Sequence, residues 1–334
     1  MKSSPPAAIA TSGKLDPVTV GVLLSVISAA LYAATNVCLR LSSDHDPLWV
    51  TFLKTAPTSL IAGGLCLFAS RRGATMWPGW RNLVAIALVG LLAQWGGNVA
   101  FQYGLNTVGL AIGPPLTFAV LIVTGGILGW FWLREPVTLP AALGIGVLIV
   151  SIVFLQLSVP AAESASPVVS DLPWYQVGLG VIAVSGAGVA YAILGAAIRW
   201  GALRGVATTM SVLIVGAVGV VSLGIGSLAQ VGPATLLATP PGEFGVMLVA
   251  GLCNAGAFLL LGRALELAPV GRVNAVNSSQ VAMSTLVGVI AFHEPATYHL
   301  YLGILLMVAG LWLINREPAP RSKPVDLLHE QDVS

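Results

Sequence analysis

Amides, hydroxyls and a single lysine are the chemically capable side chains within the apolar segments of this sequence. Gln94, Asn98 and Gln102 recur at i, i+4 and i+8, which places three amides on one face of a helix. Lys54 lies about eight residues into a second apolar segment, roughly 10 Å from its start at about 1.5 Å per residue. Such groups donate and accept hydrogen bonds, whereas nucleophilic catalysis needs a nucleophile with a matched base. The pattern therefore favours binding of a polar solute.

Each of these residues also has a structural interpretation. Polar side chains hydrogen-bond between membrane helices at about 0.6–2 kcal/mol per bond, and an isolated Ser or Thr is best explained this way. Three amides on one face exceed what helix association requires. Lys54 either extends outward to the membrane surface, aided by Asp44 or Asp46, or lines a cavity and holds a carboxylate or phosphate.

Further candidate binding residues lie in three other apolar segments, and Trp95 lies beside the amide stripe. The first segment carries Ser25, Ser28, Tyr32 and Asn36 at spacings of three or four. Tyr32 and Tyr191 occupy equivalent repeat positions and could flank a central cavity, with aromatic packing as an equally supported alternative. The complete set of predicted substrate-binding residues is Tyr32, Asn36, Lys54, Gln94, Trp95, Asn98, Gln102, Tyr191, Asn277 and Gln280.

The composition excludes a soluble protein. The chain is 56% hydrophobic and 8% charged, with a mean hydropathy of +0.90, whereas soluble domains carry about 25% charged residues. A net charge of +2 gives no reason to expect nucleic-acid binding. Cys38, Cys66 and Cys253 lie in apolar segments without CxxC spacing, which predicts small core residues rather than disulfides or metal ligands.

Ten segments are apolar and long enough to cross a membrane, for which about 20 residues are needed. The first, 18–41, is too long for the apolar region of a cleavable signal peptide, about 7–15 residues. The segments are 18–41, 47–70, 82–104, 107–133, 138–158, 173–200, 205–230, 243–267, 269–292 and 296–315. The predicted organisation is an N-terminal tail (1–17), a five-helix repeat (18–158), a linker (159–172), a second five-helix repeat (173–315) and a C-terminal tail (316–334).

A constant offset of 159 residues relates the two halves. Tyr32 and Arg40 map onto Tyr191 and Arg199, and Glu135-Pro136 maps onto Glu294-Pro295. Repeats with an odd number of spans must have opposite orientations in the bilayer. The predicted fold is therefore all-α, with ten transmembrane helices as two inverted five-helix repeats. This architecture is typical of alternating-access transporters.

The distribution of Lys and Arg predicts the orientation. With the N-terminus in the cytoplasm, thirteen basic residues fall in cytoplasmic segments, Arg40 falls outside, and Lys54 lies within a span. The positive-inside rule then places both termini in the cytoplasm and 159–172 outside. We expect an integral protein of the plasma (bacterial inner) membrane.

The two repeat endings, Leu133–Thr138 and Phe292–Thr297, each precede a Gly-containing final helix. Together with Asp46-Pro47 followed by a basic residue seven positions on, they resemble the EamA-type exporters of the drug/metabolite transporter superfamily. The resemblance covers residues 18–315 and implies a ten-helix metabolite carrier. Lys54 stands where Arg is usual in that family, and Ser278–Val281 replaces a usual proline.

The positions of the acidic residues argue against proton coupling through a carboxylate within a span. All thirteen lie in tails, loops or helix ends, which disfavours a proton-coupling carboxylate at depth. Glu135 and Glu294 are interpreted as structural stops whose carboxylates meet the amides of the next helix, with Thr138 and Thr297 as N-caps. No P-loop is present, and no cofactor is expected.

The sequence thus predicts a transporter of small metabolites, exporting or exchanging amino acids or similar polar or amphipathic solutes. A membrane-embedded enzyme or lipid-handling accessory protein is the alternative, and it would need a catalytic dyad at membrane depth. A channel is disfavoured because no filter motif or charged ring repeats. The expected partners are a small-molecule substrate and the lipid bilayer, and a homodimer is left open.

Overall fold

The computed structural model of the protein describes residues 16–41, 45–108, 113–157, 173–234, 238–291 and 296–316. Within these ranges the regular structure is entirely helical. The first half contains α1 (Pro17–Arg40), α2 (Pro47–Arg71), α3 (Trp80–Leu92), a π-helical segment (Ala93–Val99), α4 (Ala100–Val108), α5 (Gly113–Phe131) and α6 (Leu139–Leu157). The second half contains α7 (Trp174–Leu203), α8 (Thr208–Gln230), α9 (Pro241–Leu267), α10 (Val270–Asn277), α11 (Gln280–Ala291) and α12 (Tyr298–Asn315).

These segments form ten helical rods, because α3, the π segment and α4 are continuous and α10 and α11 are two parts of one rod. Six rods are long and apolar enough to cross a membrane, and three shorter apolar helices lie at 116–131, 139–155 and 298–314. Large apolar side chains such as Leu60 (76% exposed) and Phe131 (79% exposed) cover the outside of the bundle. Such a surface is stable only against lipid. The protein is an all-α membrane protein with two inverted five-helix repeats.

Packing between the halves follows the repeat. α1 packs on α9, and its repeat mate α7 packs on α3, the π segment and α4. α2 packs on its own mate α8, and α6 packs on its own mate α12. Gly144 and Gly310 allow α6 and α12 to approach so closely that a Cβ on either would overlap the other helix. Small residues at such contacts are the usual means of packing helices in membranes.

The ninth rod departs from the sequence prediction of one continuous helix over 269–292. α10 ends at Asn277 and α11 begins at Gln280, without a proline. The Ser278 hydroxyl donates to the Ala275 carbonyl at 2.7 Å, and the Gln280 amide donates to the Asn277 carbonyl at 3.2 Å. Local side-chain bonds to the backbone compete with the helical ladder, which accounts for the interruption.

The two ends of the bundle are named here by the helix ends that they contain. We call the end at which α1 begins and α12 ends the terminal end, and the other the opposite end. At the opposite end, Asp46 caps α2 by accepting hydrogen bonds from the backbone N–H groups of Leu48 (2.9 Å) and Trp49 (3.2 Å). It also accepts from the Gln230 amide at 3.3 Å, which ties the start of α2 to the end of α8.

Candidate functional site

Lys54 points into the bundle rather than toward the start of its helix. Its ammonium group donates to Asn98 Oδ1 at 3.3 Å, across the contact between α2 and the π segment. Asp46, the one described carboxylate that the sequence offered as a partner, is engaged in capping α2 and in the bond to Gln230. Asp44 lies outside the described residues. Because an ammonium has three donors and Lys54 forms one long bond among the described residues, it can bind another acceptor.

Asn98 is the centre of this polar cluster. Its Oδ1 accepts from the Tyr191 hydroxyl on α7 at 2.8 Å as well as from Lys54, and its Nδ2 donates to Gln94 Oε1 at 2.7 Å. Lys54, Asn98 and Tyr191 are all half-buried, whereas Gln94 is 5% exposed. The four side chains therefore form one hydrogen-bonded group, the Asn98 cluster, that joins both repeats.

The π-helical segment explains how these groups meet. It carries Gln94, Gly97 and Asn98, and π-bulges occur frequently at functional sites. Gly97 lies directly against the Tyr191 ring, where a Cβ would come within 2.7 Å of Cε1. The Gln94 amide fits against Gly219 of α8 and donates to the Val215 carbonyl at 3.5 Å. Neither the π-helical geometry nor these two glycine contacts were predicted from the sequence.

A second polar group lies between α1 and the interrupted ninth rod. The Asn36 amide donates to Gln280 Oε1 at 3.5 Å, and the Ser28 hydroxyl lies 3.4 Å from Asn277 Oδ1. Ser28 also donates to the Ala257 carbonyl of α9 at 2.8 Å. Asn36 is exposed, whereas Asn277 and Gln280 are nearly buried. The interruption of the rod thus supplies two amides that face the polar side of α1.

Three other predicted residues lie outside these hydrogen-bonded groups. Tyr32 packs against the apolar core. Trp95 is 41% exposed and extends toward Gly226 of α8. Gln102 is half-buried and forms no hydrogen bond with other described residues. The amide stripe of the third rod is therefore divided, with Gln94 and Asn98 bonded together and Gln102 separate.

The expectation that Glu135 meets the amides of the next helix is wrong. Its Oε2 accepts from the backbone N–H of Val270, the first residue of α10 in the other repeat, at 2.9 Å. Its Oε1 accepts from Arg199 Nε at 3.0 Å. The reason is that the repeats interlock, which brings the end of α5 beside α7 and α10. Burial raises the pKa of the Glu135 carboxyl, while Arg199 and the Val270 amide act in the opposite direction.

Of the two threonines predicted as N-caps, Thr138 forms a weak cap and Thr297 does not form one. Thr138 accepts weakly from the Ala141 N–H at 3.4 Å at the start of α6. The Thr297 hydroxyl precedes α12 without forming a cap and has no partner among the described residues. Glu294 lies outside the described residues.

Cavities at the terminal end do not include the central polar residues. One of about 350 Å³ is lined by Thr208, Arg263 and Glu266, and another of about 430 Å³ is lined by Trp130, Arg134 and Glu135. Within the described ranges no cluster of His, Cys, Asp or Glu could hold a metal ion. The central chemistry is therefore that of amides, phenols and one ammonium group, which can orient a polar solute by hydrogen bonds and charge.

Comparison with known proteins agrees with this architecture. Residues 19–157 and 178–316 each match the model of the EamA-like transporter family. A solved structure described as "Crystal structure of protein" has a TM-score of 0.68 and 15% sequence identity, and the match covers 89% of this chain and 97% of that one. This likeness concerns the fold alone. No curated protein matches the chain significantly.

Proposed function

Because the chain belongs to the EamA-like transporter family, whose members carry small molecules across membranes and are not enzymes, we propose that it carries amino acids or similar carboxylate-bearing solutes. The proposed mechanism is alternating access, with export or exchange as its outcome. In this proposal the protein lies in the plasma membrane, and the distribution of Lys and Arg supports placing both termini in the cytoplasm.

The position of Lys54 is the main support for a carboxylate-bearing substrate. Among the described spans, it is the only charged side chain more than five residues from a helix end. A cation held inside a bilayer is costly unless it has a partner or a wet cavity. Its present partner is a neutral amide oxygen that also accepts from Tyr191. A solute carboxylate would give Lys54 a charged acceptor, and hydrogen bonds to charged groups are stronger than those between neutral groups.

The amides supply the remaining contacts in this proposal. Gln94 fixes the orientation of Asn98, so that Asn98 Oδ1 faces Lys54 and Tyr191. The Asn36 and Gln280 amides, between α1 and the interrupted ninth rod, can bind the amino or other polar group of the solute. The second repeat thus contributes Tyr191 and Gln280, and the first contributes Lys54 and Asn98.

Energy would come from the solute gradient. In the described spans no carboxylate lies at depth, so a titrating acid for proton coupling is missing from that part of the chain. A facilitator or exchanger needs only a site that can face each side of the membrane in turn.

Matched pairs of solutes test this proposal. Metabolite profiling of medium and cells, with and without the protein, would first identify candidates. Purified protein in proteoliposomes would then be assayed with each candidate carboxylate and its primary carboxamide, which differ in charge but little in size. We expect the carboxylate to be carried preferentially, and Lys54→Met to remove that preference while carboxamide transport changes little. Lys54→Arg, which keeps the charge, is the control. Equal transport of both solutes by the wild type would contradict the proposed substrate class.

A further inference from the structure

Arg199 is a buried arginine near the terminal end of α7. Only 7% of the residue is exposed, and its ion pair with Glu135 is formed by side chains that are 9% and 13% exposed. Its Nη1 also donates to the carbonyls of Leu265 (3.0 Å) and Glu266 (2.7 Å) at the end of α9. A cation at this position is stabilised by the carbonyls and by the negative end of the helix dipole.

Glu135 binds the start of another helix with its second oxygen. The backbone N–H of Val270 opens α10 and donates to Oε2 at 2.9 Å, where the helix dipole is positive. Glu135 reaches this position because the chain folds back after α5. Its N–H donates to the Gly129 carbonyl at 2.8 Å, and Arg134 before it has a left-handed φ of 55°. That conformation is unfavourable for a residue with a Cβ and is retained where the surroundings demand it.

Arg199 and Glu135 therefore form a clamp that joins the ends of four helices, α5, α7, α9 and α10. Two of these helices carry central polar residues. Tyr191 precedes Arg199 by about two turns on α7, and Asn277 follows Val270 by about two turns on α10. The clamp consequently fixes the relative positions of α7 and α10, and with them Tyr191 and Asn277.

The apolar side chains around the clamp are closed to solvent. Leu265, Ala268, Val270 and Val273 are completely buried in one core cluster. Asn274, one turn into α10, is 6% exposed, and its Nδ2 has no hydrogen-bond partner among the described residues. Its amide is packed against Gly125 of α5 and Gly195 of α7. By contrast, Asn36 toward the opposite end is exposed.

We propose that the Arg199–Glu135 clamp closes the central site at the terminal end, and that its release opens a solute path lined by Asn274. This inference rests on the proposed transport function. The orphaned amide of Asn274 is then a hydrogen-bonding contact for the passing solute, buried while the clamp is closed. Release is feasible because the desolvation of a buried ion pair offsets much of its Coulomb attraction, and opening returns both charges to water.

A cysteine reporter tests the clamp without requiring transport. In a background lacking Cys38, Cys66 and Cys253, Asn274→Cys would be modified by a membrane-impermeant thiol reagent added to the terminal side. We expect slow modification with the clamp intact and at least a tenfold faster rate with Glu135→Gln. Arg263→Gln is the matched control, because it breaks the neighbouring exposed ion pair with Glu266 and leaves the clamp unchanged.

The double variant Glu135→Gln/Arg199→Gln guards against misfolding, since it leaves no unpaired buried charge. It should fold, as judged by a melting curve in detergent, and show the same faster modification. The charge swap Glu135→Arg/Arg199→Glu should not restore the slow rate. A carboxylate at 199 would face the α9 carbonyls, and a guanidinium at 135 could not accept from the Val270 N–H.

An unchanged rate in the folded double variant would overturn the clamp as a closure, and so would recovery of the slow rate in the swap. If the reporter opens as expected but the wild-type protein moves no solute in proteoliposomes, the closure stands and the proposed transport function fails.

Discussion

Replacing Asn98 with Leu removes the centre of the polar cluster while keeping a similar side-chain volume. Three hydrogen bonds are lost, of which those with Lys54 (3.3 Å) and Tyr191 (2.8 Å) cross between helices. Bonds of this kind contribute about 0.6–1.7 kcal/mol each in membrane proteins. Because Lys54 and Tyr191 are half-buried, water can replace part of the loss. We expect the free energy of unfolding to fall by only about 1–2 kcal/mol.

Transport should fall much further than stability. Loss of a hydrogen bond between the solute and the site weakens binding by about 1.5–3 kcal/mol when one of the two groups is charged. At about 1.4 kcal/mol per factor of ten, this corresponds to a loss of roughly 10- to 150-fold in transport efficiency. The assay is counterflow of the carried carboxylate in proteoliposomes, with protein amount and melting temperature measured on the same preparations.

Asn254→Leu is the matched control for Asn98→Leu. Asn254 donates one bond to Thr58 between α9 and α2, at 3.2 Å, and is separate from the Asn98 cluster. It should lose similar stability and retain transport. If Asn98→Leu transports within twofold of the wild type, Asn98 joins helices and does not bind solute. Asn98→Asp gives an independent check, since a carboxylate beside Lys54 should preserve stability and abolish carboxylate transport.

Three further predictions concern topology, packing and energy coupling. In a cysteine-free background, Arg72→Cys and Ala234→Cys should react with an impermeant reagent from opposite sides of the membrane. Labelling of both cysteines from the same side would contradict the predicted topology. Gly97→Ala should lower transport at least about fivefold by pushing the Tyr191 ring off Asn98, because the new Cβ would lie 2.7 Å from that ring. Gly96→Ala, which meets mainly the flexible end of a leucine side chain, should transport normally. Flux down a solute gradient should persist when the proton gradient is collapsed, and strict dependence on an imposed pH gradient would show that a protonatable group carries protons in the cycle.

The sequence alone determined the fold class. Apolar segments of about 20 residues and the scarcity of charge require helices in a bilayer, because lipid cannot hydrogen-bond an exposed backbone. The constant offset of 159 residues gave the two repeats, and an odd number of spans in each required their inversion. These features are local in the chain, and so periodicity and composition reveal them.

The contents of the polar cluster were only partly accessible from the sequence. Helical spacing correctly suggested that Gln94 and Asn98 share a face, and their side chains do bond at 2.7 Å. It did not reveal that Asn98 would be shared by Lys54 and Tyr191, because those residues lie on different helices. The π-helical segment was also unforeseen, since an extra residue in a turn has no marker in an apolar sequence.

Only the tertiary structure decided the role of Arg199 and Glu135. In the sequence, Arg199 is one of many basic residues near a helix end, and Glu135 precedes a proline at a helix stop. Interlocking of the two repeats places the end of α5 beside the start of α10, more than 130 residues later. There the two side chains are buried together and bind the ends of helices from both halves. Long-range contacts of this kind depend on how the helices pack, and no local pattern in the chain encodes them.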